Sequence, residues 1–376
     1  MSYLTAFKII DSNNVPQGVL MENNTLTSRD YLIAVGEGDV AAHKRFEKIG
    51  FTPTLATGTG DDLWSAAGVY VFPTAAARWR IAAGGATDLG TVIKGNAEGA
   101  NQVILCDPTG DLVTLRDVSV DFSAATAVAV GDCILLDPKG ASPEWGYVTD
   151  ITNAATGVLG IAGGFSSGGS CATARAYTIV DLSGAVGAQV IKIDYLTNLY
   201  AEKTILVCLN GGTAVSFADA TGAALTDTFR VNSFRIIAAG STNALVAACS
   251  LQLNAAPNTV YSYITAGYTR ARNSAYTVPA SKELYVNKII AGYAVAAAAK
   301  WDYARMWLRA NREPTTGFLT GNIFYPYTEI LTYCSSMMIP LLCPLKFVAK
   351  TDLKMSGMCS TAGVAISTIR GWLETV

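Results

Sequence analysis

The sequence predicts a mainly β protein: β-sandwich or jelly-roll-like domains, a small inserted β-barrel unit, and one or two short helices. Three observations carry this. Two-residue alternation recurs, as in Ala77-Arg-Trp-Arg-Ile-Ala82, where Arg78 and Arg80 oppose Trp79 and Ile81, the period of a half-buried strand. The alternating stretches are short and bounded by Gly, Pro, Asn and Asp, the texture of a sandwich or barrel. Helical spacing of apolar residues is clear at one place only.

Residues 1–60 read as a polar N-terminal arm, with turn formers at Asp11 to Asn14, Pro16, Gly18, Asn23 and Asn24. The one helix is expected here: Asp39 caps it, Ala42, Phe46 and Ile49 share a face, and Gly50 ends it. Residues 28–35 hold a second helix or a short strand. A first β domain is expected from 61–100 plus 187–255. Its strands are Val69 to Phe72, stopped by Pro73, then Ala77 to Ala82, then the alternating runs at Ile191–Tyr195, Thr204–Leu209 and Phe229–Ser233, with a hairpin-type turn at Asn210-Gly211.

Residues 101–186 read as the inserted β unit, with strands at Gly131–Pro138, Trp145–Ile151 and Val158–Ala162, and Gly163–Gly169 as a flexible linker or a hairpin tip. A C-terminal sandwich or jelly roll is expected over 256–376. It opens with Tyr276-Thr-Val-Pro279, a polar corner at Ala280 to Glu283, and a strand from Leu284 to Ile290. Phe347 to Met355 reads as its cleanest strand, and Val364 to Trp372 closes the chain.

Hydrophobic residues make up 51% of the 376 and charged residues 15%. A dispersed soluble domain carries roughly 25% charge, so much of the surface is expected to be covered by other subunits: copies of itself, as a trimer or pentamer, and further partner proteins. The longest apolar run, Ile289 to Ala299, falls short of the ~20 residues of a membrane helix, and no signal peptide is expected. A net charge of −2 with no basic tail excludes nucleic acid as an expected partner. The densest basic patch is Arg270, Arg272 and Lys282, a solvated loop or a subunit contact. The eight cysteines have no C-x-x-C spacing. They read as small buried hydrophobes from a reducing cytoplasm, and the single histidine makes a zinc site unexpected.

No catalytic residue, cofactor or metal ligand is assigned. Gly164-Phe-Ser-Ser-Gly168 matches G-x-S-x-G, but a strand-like segment follows Ser166 and the sole histidine, His43, precedes it, so a nucleophilic triad is not expected. The carboxylates near turns are Asp61, Asp62, Asp107, Asp137, Asp150 and Asp352. Paired acids serve glycosidases or hold calcium, and Asp61-Asp62 lies in a Gly-Thr-Gly-Asp-Asp loop, but no D-x-D-x-D spacing follows and turn formation accounts for it better. The glycine-rich stretches at 83–86 and 90–99 match no phosphate-binding pattern. Trp301, Tyr303 and Trp307 could form a sugar platform, though core and subunit contacts explain them more simply.

Four segments taken together carry a resemblance: Asp61-Asp-Leu-Trp-Ser-Ala-Ala-Gly-Val-Tyr-Val-Phe-Pro-Thr74, Phe229-Arg-Val-Asn-Ser-Phe-Arg-Ile-Ile-Ala-Ala-Gly-Ser-Thr-Asn243, Tyr276-Thr-Val-Pro-Ala-Ser-Lys282 and Lys350-Thr-Asp-Leu-Lys-Met355. In this order the chain resembles structural proteins of tailed bacteriophages, of the marine and cyanobacterial type. It departs at Ser281, where a glycine is expected, and at Ser65-Ala66, where an acidic-glycine pair is. The resemblance leaves 101–186 as an insertion. It implies a non-enzymatic virion component, head-associated as a cement, decoration or spike protein, assembled in the host cytoplasm and touching itself and the major capsid protein. The alternatives are a tail, collar or fibre protein that binds a receptor or glycan, and a particle-borne hydrolase.

Overall fold

The computed structural model describes residues 20–22, 25–27, 43–58, 60–82, 84–96, 102–106, 112–124, 127–140, 142–163, 175–295, 302–311, 324–333 and 335–376. These residues are nearly all β. The sole helical turn among them is a three-residue 3₁₀ segment at Ala154–Thr156. The chain divides into two compact units, Met1–Leu63 with Ser274–Val376 and Trp64–Asn273, called here the terminal and the central unit.

The terminal unit is a sandwich. One sheet has five strands, in the order Tyr276–Thr277, Asp352–Cys359, Ala304–Asn311, Tyr325–Thr332, with Asp61–Asp62 also paired to Asp352–Cys359. The other has four, in the order Ser336–Phe347, Lys282–Ala294, Gly363–Thr375, His43–Leu55. Both sheets feed one core: Met306, Leu308, Leu353 and Met355 from the first, Phe46, Val286, Ile289 and Ile369 from the second. Alternation with a two-residue period makes one face of each strand apolar, and the two apolar faces bury each other.

The central unit holds three sheets. A seven-stranded half-barrel runs Val92–Asn96, Tyr177–Val180, Cys133–Leu136, Glu144–Asp150, Val158–Gly163, Leu112–Asp117, Gln102–Cys106, all antiparallel. A three-stranded sheet runs Glu202–Cys208, Ala188–Thr197, Thr228–Ala239, and a four-stranded one Val215–Ser216, Trp79–Ala82, Cys249–Leu253, Val260–Ile264. Trp79, Ile81, Ile191, Ile193, Phe234 and Leu251 form the core shared by the last two. Cys133, Leu135 and Val180 meet Val190, Leu206 and Ala238 in a second cluster that joins the half-barrel to the three-stranded sheet.

Several expectations are corrected. The segment read as a helix ending at Gly50 is the strand His43–Leu55, paired along its length with Gly363–Thr375; Asp39 and Ala42 lie outside the described residues. Gly50 does not stop a helix. A Cβ there would sit 2.6 Å from Ser274 Cβ, 2.8 Å from Ser367 Oγ and 2.9 Å from the Leu63 carbonyl, so glycine is what lets the Leu63 and Ser274 segments pass close over this strand. The second element foreseen at 28–35 and most of the Gly163–Gly169 linker also fall outside the described residues.

Val69 to Phe72 alternates as expected, with Tyr70 and Phe72 buried and Val69 and Val71 exposed, but it joins no ladder. Tyr70 is held by edge contacts to the rings of Trp64, Phe72 and Tyr261 instead. Phe347 to Met355 is not one strand. The Ser336–Phe347 strand ends, Lys350 takes φ +66°, and Asp352–Cys359 begins in the other sheet. Asn210-Gly211 is a turn, with Thr213 N–H donating to the Asn210 carbonyl, but the strands around it do not pair as a hairpin.

Domain boundaries shift with these pairings. Residues 43–60, foreseen in the arm, and 61–63, foreseen in the first β domain, supply an edge strand and a short bridging strand to the C-terminal sandwich, whose C-terminal part starts at Ser274 rather than 256. The half-barrel takes its first strand from Val92–Asn96, ahead of the expected 101.

Candidate interaction surface

The sequence candidates are dispersed, and several are already engaged. Asp61 and Asp62 form a strand, so their side chains point to opposite faces. Asp62 is buried, accepting Lys354 Nζ at 2.7 Å and Ser356 Oγ at 2.5 Å. Asp61 Oδ2 accepts the Ala56 N–H at 2.9 Å. This pair does not converge on a cation, and no group of three or more His, Cys, Asp or Glu among the described residues could hold a metal.

Asp137 takes Arg175 Nε at 2.6 Å and the Ala176 N–H, and Arg175 also bonds Glu144. Asp352 accepts the Thr277 hydroxyl. Asp150 Oδ1 takes the Thr152 hydroxyl and N–H, which holds its carboxyl below the usual range. His43 begins the edge strand opposite Glu374. Ser166, Asp107 and Trp301 lie outside the described residues. Trp307 is half-buried, hydrogen-bonded to Glu329, and flanked by the guanidinium groups of Arg305 and Arg309 at 5.7 and 5.1 Å, so its ring is occupied by its own neighbours.

Carboxylates that the sequence did not single out anchor the central unit. Asp88 is fully buried, and its two oxygens accept four backbone N–H groups: Gly85 at 2.6 Å, Ala188 at 2.9 Å, Val246 at 3.0 Å and Ala247 at 3.1 Å. Asp132 ties Ala129 to Leu182, and Asp117 ties Ser119 to the buried Tyr177 hydroxyl. Each fixes loops that would otherwise leave buried donors without acceptors.

What remains open is apolar surface. Ser336-Met-Met-Ile-Pro-Leu-Leu-Cys-Pro-Leu-Lys-Phe347 is the edge strand of the terminal unit's four-stranded sheet. Eleven of its twelve positions are uncharged side chains other than Lys346, yet Met337, Met338 and Cys343 are exposed, Met338 by 57%. Pro340 and Pro344 fit an edge, since proline cannot donate to a further ladder. Pairing jumps from Val286↔Leu345 to Lys288↔Pro340, so 341–344 bulge out opposite Asn287.

The solvent-facing side of this sheet has two halves. In one, Met338, Ile290, Thr368 and Ile49 form a cross-strand row, with Ile366, Phe51 and Val364 beyond it; Ile366 and Val364 are exposed. In the other, Lys346, Tyr285, Trp372 and Arg45 form a row. Here the Tyr285 and Trp372 rings stack at 5.4 Å, Lys346 bonds Glu283 at 2.7 Å, and the indole N–H reaches Glu374. The signal for the edge strand was in the sequence: a long apolar run containing two prolines. Which residues lie beside it was not, because cross-strand register is a property of the fold.

The cysteines are mixed. Burial pushes the Cys133 and Cys249 thiols up to about 12, as expected of inert core residues, whereas Cys343 is on the surface.

No protein-family model matches this sequence, and a comparison with curated proteins finds no relative. Among solved structures, the mosquito-larvicidal Cry4Aa toxin from Bacillus thuringiensis aligns over 66% of this chain with 8% identity and a TM-score of 0.15. The chain spans about half, 52%, of that toxin chain. The infectious bursal disease virus Gt strain structure aligns over 89% of this chain and 80% of its own, again at 8% identity, with a TM-score of 0.08. Neither similarity is large enough to assign this chain to a family.

Proposed function

We propose that this chain is a non-enzymatic structural subunit of a bacteriophage virion, head-associated, which works through contacts with copies of itself and with other shell proteins. The observation that carries the reading is the apolar edge strand Ser336–Phe347, which no further strand among the described residues joins, with the apolar half of the adjoining sheet face. An exposed edge of this kind pairs or aggregates unless another chain covers it. The low charged fraction of 15% and the order of the four phage-like segments support the same reading. So does the use of Asp62, Asp88, Asp117 and Asp132 as internal staples rather than as a converging acid pair.

The test is sedimentation equilibrium of the wild-type chain and of Met338→Lys. A discrete wild-type oligomer that dissociates in the variant, with the melting temperature unchanged, supports the reading. A wild-type chain that stays monomeric at high micromolar concentration, and is missing from purified particles, overturns it.

A further inference from the structure

The central unit carries a second, electrostatic pair of surfaces. Lys192 and Arg235 are register partners on adjacent strands, and Arg235 is bridged to Arg270 on the next segment. Residues opposite one another share a face, so the three cations form a row. Lys192 Nζ lies 5.2 Å and Arg235 Cζ 5.8 Å from the centre of the Trp145 ring. Among the described residues, Asp194 is the one carboxylate in the row's ion pairs, 3.2 Å from Lys192 and also accepting the Thr204 hydroxyl. Arg235 and Arg270 are exposed, and neither meets a carboxylate among the described residues.

The far end of the half-barrel has the opposite character. Residues 92–180 hold nine acidic and four basic residues. Asp121 and Asp150 are fully exposed, each presented by a turn in which the second residue on donates both its N–H and its hydroxyl. The Phe122 N–H to Ala154 carbonyl bond and the Gly131 N–H to Val148 carbonyl bond gather these loops at one end. Val118, Val130 and Ile151 are exposed beside them; Lys94, bonded to the Ala124 carbonyl, is the neighbouring cation. Trp145 and Asp150 lie near opposite ends of the Glu144–Asp150 strand, about 17 Å apart at ~3.4 Å per residue.

We propose that the Lys192–Arg235–Arg270 row docks the Asp121/Asp150 end of a second copy of this chain. The proposal deepens the self-association reading above and rests on it. Because one surface meets a different surface, the contact is heterologous and propagates into a ring or a filament. Charge complementarity sets its register and on-rate, and salt weakens it.

Two variants test it by sedimentation velocity, Arg235→Glu with Arg270→Glu and Asp121→Lys with Asp150→Lys, each checked for an unchanged melting curve. Each variant alone is expected to lose the salt-sensitive association step by at least tenfold in apparent affinity. Mixed at equal concentration they regain it, since the acidic end of the first faces the intact row of the second and the reversed row faces the reversed end. Variants that associate like wild type overturn the proposal while leaving the edge-strand reading intact, provided Met338→Lys still dissociates the oligomer. A mixture that stays apart shows that the row's partner is some other anion and overturns the second-copy assignment. A wild-type chain that never associates removes the self-association reading itself.

Discussion

The two units bury charge in different ways. In the terminal unit Asp62 meets an ammonium: the carboxylate and Lys354 are both buried, 2.7 Å apart, on paired strands inside one sheet. In the central unit Asp88 meets backbone N–H groups alone, from three separate stretches of chain. The first arrangement locks one strand onto another. The second locks loops onto a frame, and the nearby glycines follow from it: a Cβ at Gly84 would come within 2.7 Å of the Asp88 carboxylate. A cation partner makes a pair that hydrophobic residues can replace together. A set of peptide donors has no such exchange, because the donors belong to the backbone.

That contrast can be broken experimentally. Asp62→Ala takes the buried carboxylate away from Lys354 and Ser356 and is expected to cost about 3–5 kcal/mol, whereas Asp62→Leu with Lys354→Met recovers most of the loss. Urea denaturation of the three chains decides it; a double variant as unstable as the single one would remove the distinction. Asp88→Asn keeps the shape but turns one oxygen into a donor facing two N–H groups, at a cost of about 2–3 kcal/mol, and no second-site apolar change should rescue it. Gly371→Ala probes the terminal unit's bulge, where a Cβ would strike the Tyr285 carbonyl; overpacking of this kind costs about 1–3 kcal/mol.

The smaller effects sharpen the surface side. A thiol reagent without denaturant is expected to modify Cys343, so Cys343→Ser removes one reacting group and Cys133→Ser removes none. The Lys346 ammonium hydrogen bond holds the Glu283 carboxyl below its ordinary value. A depressed folded-state value means the stabilisation is present above the unfolded carboxylate range, roughly 4.3, and fades as pH falls through the folded value. The gap in melting temperature between wild type and Lys346→Met is therefore expected to be steady near neutrality and to close in acid. A gap unchanged at pH 3 would assign it to packing of the lysine stem.

The fold class was legible because alternation is local. Trp79 and Ile81 inside, with Arg80 half-open, can be read from four residues. What failed was local too, but outvoted. Phe46, Ile49 and Gly50 fit a capped helix when read alone, and pair as a strand because Gly363–Thr375, more than 300 positions later, offers a ladder. Phe347 to Met355 alternates without interruption, and the fold spends that alternation on a corner between sheets at Lys350. Of the interaction surfaces, Arg270 was visible as part of a basic patch. Its neighbours Lys192 and Arg235 were not, since 78 and 35 residues of sequence separate them from it while the sheet sets them side by side.

The strand order of the terminal unit also governs how the chain can be made. Gly363–Thr375 lies between Lys282–Ala294 and His43–Leu55 in its sheet, and it is translated after both of them. At ~5–20 residues per second, some 300 residues take roughly 15–60 s. Throughout that time the His43–Leu55 segment has left the ribosome with no ladder to join, while the whole of Trp64–Asn273 is synthesised and free to fold. A nascent chain that has not yet reached Thr375 therefore keeps this four-stranded sheet unfinished, and the thirteen-residue strand Gly363–Thr375 is what joins its two halves.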